Sequence, residues 1–174
     1  SYSIMLLLAL VANADAVEVD GIYYNLIQKI KSAEVTSMPN DNYYTGEVTI
    51  PPKIIYEGIE YNVTSIGNNA FNNCLELTSV TIPNSVTSIG EYAFNRRQDV
   101  TSVNTGPTVK TVERCAFQQC SNMKTVTIGP SVTYIGEWAF NLGGLTNLTL
   151  GSSVTTIDHV AFGHNSYLQD FTIP

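Results

Sequence analysis

His159 and His164 stand five residues apart with Asp158 beside them, a cluster that invites a metal ion. Helical ligand pairs prefer spacings of three or four, and no Cys or Glu accompanies these two. They read instead as surface side chains on an outer turn. Cys74, Cys115 and Cys120 have no histidine at a motif-like distance, so a thiolate nucleophile is unsupported. The many serines include no G-x-S-x-G elbow. Gly143-Gly144 lacks the Lys-Ser/Thr of a phosphate loop. Glu91, Glu113 and Glu137 recur as stacked, solvated carboxylates rather than an acid/base pair. No catalytic, cofactor or metal site is expected, and the chain is not read as an enzyme.

What these residues share is their place in a repeat. From Val63 the sequence recurs with a period of 23, in units 63–85, 86–108, 109–131, 132–153 (one residue shorter) and 154–174. An Ala-Phe pair recurs at Ala70-Phe71, Ala93-Phe94, Ala116-Phe117, Ala139-Phe140 and Ala161-Phe162. The aliphatic residue four before each Ala is Ile66, Ile89, Val112, Ile135 or Ile157, a spacing that predicts a single helical turn with an inward apolar side. Further on, Leu77, Val80 and Ile82, and their counterparts through Leu168, Phe171 and Ile173, follow the L-x-x-L-x-L spacing of a coil entering a short strand. One unit cannot bury its apolar side alone. Stacked at about 4.8 Å, the units share a core with a ladder of Phe rings.

Register also places the cysteines. Cys74 and Cys120 occupy one repeat position two coils apart, hence about 10 Å, beyond disulfide reach. Cys115, in the column of Asn69, Tyr92, Trp138 and Val160, could be half exposed, and a Cys115–Cys120 bridge across a turn is conceivable.

The units resemble the BspA-like class of bacterial leucine-rich repeats. The motif is carried by L-T-S-V-T-I-P, S-V-T-S-I-G and E-Y-A-F within residues 77–94, over about residues 63–174. The resemblance implies a β-rich repeat solenoid: a right-handed leucine-rich-repeat stack of short strands and single helical turns. It also implies secreted or surface-anchored proteins that adhere to host matrix proteins or other cells. The second unit departs from the pattern, with Val100 for Leu, Thr105 for Ile, then Gly106-Pro107, which predicts a local irregularity.

Alternation assigns the strand face that points away from the core: Ser79 and Thr81, Ser102 and Asn104, Thr125 and Thr127, Asn147 and Thr149, Asp170 and Thr172. In leucine-rich repeats this is the concave face and the usual partner site. A second reading stands beside it, that Thr ladders are good β formers keeping a solvated face soluble. Tyr92, Tyr134 and Trp138 offer an aromatic patch elsewhere on the coils.

Residues 17–62 do not follow the period. Runs rich in Val, Ile, Thr and Tyr, with a hairpin signal at Glu57-Gly58, predict a small β cap on the first coil, as repeat arrays require. Similar segments precede the repeats in BspA-like proteins of gut bacteria. Residues 1–16 read as the remnant of a signal peptide, an apolar run from Ile4 to Ala12 followed by the cleavage pattern Ala14-Asp15-Ala16. The run is too short to span a bilayer. The missing basic segment, and an ending in mid-repeat, are expected of a piece of a longer protein.

Net charge is −7, with three basic and eight acidic residues before Val63. Nucleic acid binding needs a basic stripe, and Arg96–Arg97 is an isolated pair, so that class is set aside. The expected function is a secreted or cell-surface recognition and adhesion scaffold whose partner is a host or bacterial protein or a glycan. The alternative is a structural spacer, or a targeting module for a further domain.

Overall fold

The computed structural model describes residues 16–172. The expected signal segment, residues 1–16, lies outside the described residues apart from Ala16, as do Ile173 and Pro174. In chain order the strands are β1 (Val17–Val19), β2 (Ile22–Ile27), β3 (Ser32–Val35), β4 (Gly46–Thr49), β5 (Lys53–Tyr56), β6 (Ile59–Ile66) and β7 (Leu77–Thr81). Then follow β8 (Ser88–Ile89), β9 (Ser102–Asn104), β10 (Thr111–Val112), β11 (Thr125–Thr127), β12 (Tyr134–Ile135), β13 (Asn147–Thr149), β14 (Thr156–Ile157) and β15 (Asp170–Thr172).

Two parallel ladders run along the stack because each coil from the second onward contributes one strand to each. The first is β6-β8-β10-β12-β14, in which Ile66, Ile89, Val112, Ile135 and Ile157 pair in register. The second joins β9, β11, β13 and β15. Inside lie the rings of Phe71, Phe94, Phe117, Phe140 and Phe162, stacked with centroids 5.0–5.2 Å apart. The repeat solenoid read from the period is therefore the architecture found.

The expected helical turn is built differently. Asn69 and Asn73, Tyr92 and Arg96, and their counterparts in the later coils all have φ between 53° and 60°. Within each segment the bonds span three residues, as from the Asn72 N–H to the Asn69 carbonyl. With left-handed residues four apart, every second N–H of the segment turns toward the next coil. The N–H groups of Asn69, Phe71 and Asn73 thus donate to the carbonyls of Glu91, Ala93 and Asn95 at 2.8, 2.8 and 3.3 Å, and the pattern recurs down the stack. A helix would have spent those donors internally. The left-handed conformation costs a non-Gly residue about 1–2 kcal/mol, which these inter-coil bonds offset.

The segment before the period contributes rungs of its own. β1, β2 and β3 run antiparallel, and β3 then pairs in parallel with β6, extending the first ladder. β5 and β6 form a hairpin through Glu57 and Gly58, both at positive φ, as a two-residue turn requires. β4 pairs in parallel with β7. Tyr44 packs against Phe71, with centroids 5.0 Å apart and the rings tilted by 48°, and takes the aromatic rung. A tyrosine suits that rung, since its hydroxyl donates to the Thr36 carbonyl (2.7 Å) and accepts from the Tyr23 N–H (3.0 Å).

Candidate functional site

Of the expected outward positions, Ser79, Thr81, Ser102, Asn104, Thr125, Asn147 and Thr149 are exposed and Thr127 is half-buried. Ser102, Thr125 and Asn147 are aligned and exposed, over the buried row Val103, Val126 and Leu148. Asn104, Thr127 and Thr149 form a parallel row, with Thr127 half-buried. Asp170 and Thr172 continue the register through β15. Ser79 and Thr81 are exposed but belong to another ladder, in register with Glu47 and Thr49 of β4. The second ladder is therefore split between β7 and β9.

The cause of the split lies in the second unit. Arg97 falls in the column of Cys74 and Cys120, and like them it is buried, at 1% exposure. Its Nε donates to Asp99 at 2.6 Å, its Nη2 pairs with the other carboxylate oxygen, and Nη2 also donates to the Leu77 carbonyl at 2.7 Å. A guanidinium here takes the place that a thiol holds in the coils on either side. Val100 is half-buried where Leu77 and Met123 are fully buried, and Val80 and Ile82, expected in the core, are only half-buried. Thr105 is explained too: its Oγ1 accepts from the Gly129 N–H at 2.8 Å.

The turn face carries the aromatic residues. The Arg114 guanidinium sits between the Tyr92 and Trp138 rings, 5.5 Å from each centroid, and its Nε donates to Glu137 at 3.3 Å. Tyr134 donates to Asp158 at 3.2 Å. Cys115, expected half exposed, is fully buried, because Arg114 closes over it between the flanking rings. All three cysteines are free thiols. Burial raises each thiol pKa, that of Cys120 to about 12, so all stay protonated and unreactive at neutral pH. His159 and His164 are exposed. Among the described residues no group of three or more His, Cys, Asp or Glu could hold a metal ion.

Comparison with known proteins places this architecture. The model of the BspA type leucine rich repeat region matches residues 53–174 in six copies. The chain belongs to the BspA-type leucine-rich repeat family. The match begins within the β5–β6 hairpin, earlier than the periodic start at Val63, and counts one copy more than the five periodic units. Among solved structures, a leucine-rich repeat protein from Bacteroides ovatus is 30% identical with a TM-score of 0.81. It covers 91% of this chain and 41% of its own. A leucine rich cell surface protein from Faecalibacterium prausnitzii is 24% identical, TM-score 0.56, covering 91% and 54%. The leucine-rich repeat protein of T. pallidum is 16% identical, TM-score 0.70, covering 90% and 81%. This BspA-type chain thus spans about half or less of the length of the first two. No functionally curated protein matches it. The family is one of repeat scaffolds suited to protein binding. Among the described residues no helix is long and apolar enough to cross a membrane.

Proposed function

We propose that this chain is a secreted or cell-surface recognition scaffold of a bacterium, which adheres to a host or bacterial protein or glycan through its strand face. The observation that supports this most is the pair of outward rows, Ser102–Thr125–Asn147 and Asn104–Thr127–Thr149, held in register on adjacent coils. Rungs about 4.8 Å apart on a rigid ladder present hydroxyl and amide groups at fixed intervals, with little side-chain entropy to lose on binding. Ser79 and Thr81 flank this surface across the split, and Asp170 and Thr172 extend it. The apolar run of residues 1–16 supports export. Residues 17–62 would serve as the N-terminal β cap of the five units from 63–85 to 154–174.

The test is binding of the chain to immobilised matrix proteins and mucosal glycans. Saturable binding to one class supports recognition. No binding across the whole panel would replace this reading with that of a spacer.

A further inference from the structure

We propose that the opening between the first two coils is a slot for an extended, uncharged peptide segment of a partner protein, which adds there as a strand between β7 and β9. Coils one and two are joined along the first ladder and along the turn segment. On the third side, among the described residues, no backbone pairing links β7 to β9. The result is a cleft of about 280 Å³ with Val80, Phe94, Val100 and Val103 among its apolar lining.

Both walls offer backbone groups unused among the described residues. Thr81 accepts from the Ile50 N–H on its β4 side, so the alternation of a parallel strand turns the N–H and C=O of Val80 toward the cleft. Thr101 and Thr105 bond to the third coil, which turns those of Ser102 and Asn104 toward the cleft from the other wall. Free strand edges facing each other are what an added strand pairs with.

Arg97 states the chemistry of the occupant. It lines the cleft, and its charge is already matched, because Nε and Nη2 both engage Asp99. What it lacks is an acceptor: Nη1 is buried with no hydrogen-bond partner among the described residues. A second carboxylate would be repelled by Asp99, whereas a neutral backbone carbonyl would satisfy Nη1 without adding charge. Together with the apolar lining this selects an extended peptide with small aliphatic side chains. The slot shares Ser102 and Asn104 with the strand-face rows but takes their backbone groups, whereas the rows present side chains, so peptide binding here and panel binding there are read separately.

The probe is the acetylated, amidated peptide Thr-Val-Thr-Ile-Gly with a fluorescent label, the sequence of the strand in the same repeat position of the third coil. Fluorescence anisotropy with the full chain should give saturable binding, weakened about tenfold by Ser102→Pro, which removes one cleft-facing N–H from an edge strand that tolerates proline. Ser152→Lys, at an exposed corner of the later coils, should leave it unchanged. Hydrogen exchange on the unaltered chain, independent of how the variant folds, should show the amides of Val80, Ser102 and Asn104 slowed by the peptide. Absence of saturable binding, equal binding by a folded Ser102→Pro chain, or protection confined to other amides would overturn the proposal.

Discussion

The rings of Phe94 and Phe117 lie nearly parallel, 3° between their planes and 5.0 Å between centroids, each nearly closed to solvent. Such a pair transmits packing from coil to coil, because each ring is a wall of the core for the next. Phe117→Ala should therefore cost about 3–5 kcal/mol, read as a lower urea midpoint. Phe162→Ala, on a half-buried ring at the end of the ladder, should cost clearly less. Equal costs would mean that the ladder does not act as a continuous core.

The Arg97–Asp99 pair makes a second prediction. Asp99→Ala leaves a guanidinium in the core without its counter-charge and should destabilise the chain by about 3–5 kcal/mol. Arg97→Met combined with Asp99→Asn should recover most of that loss, since it removes the buried charge together with its partner. Urea unfolding of the two variants checks the order. An Asp99→Ala chain as stable as the parent would place the guanidinium in solvent.

Alkali should loosen the fold over a definable window. The Cys120 thiol and the Tyr24 phenol are both pushed up to about 12 by burial, from 9.0 and 10.0, and Tyr44 is raised further by the same cause. The unfolded chain loses these protons first, so stability is full below about pH 9 and falls as pH rises toward 12. Unfolding midpoints at pH 8 and pH 10.5 test the sign. Ellman's reagent should also leave the native thiols unmodified at pH 8 and react once the chain unfolds.

Trp138 is the single tryptophan and shares Arg114 with Tyr92. Arg114→Ala should shift its emission and open Cys115 to thiol reagents. The unfolding midpoint should fall only slightly, since cation–π pairs at solvated sites are weak. Unchanged emission together with an inert Cys115 would contradict the stacked arrangement.

The period, the Phe column and the inward and outward strand faces were legible in the sequence because stacking forces equivalent residues into equivalent places. The turn path was not. An aliphatic residue four before an Ala, as Ile66 before Ala70, fits one face of a helix as well as it fits a chain of linked turns, and the deciding inter-coil bonds leave no trace in side-chain pattern. Tyr44 escaped because it joins the ladder from a segment outside the period. Arg97 read as one half of an isolated basic pair. Its register with Cys74 and Cys120, both small and apolar, was the signal that it is buried and that the ladder opens beside it.

Recognition through the strand face is tested most directly by comparing the chain with its Thr127→Lys, Thr149→Lys variant on the same panel of matrix proteins and glycans. Thr149 is exposed and Thr127 half-buried on the outer face, so unfolding free energies should agree to within about 0.5 kcal/mol per site. The expected result is saturable binding by the parent chain and its loss, by tenfold or more, in the folded variant, about 1.4 kcal/mol in affinity. Full binding by that variant would contradict a strand-face site and move recognition to the Tyr92–Arg114–Trp138 face.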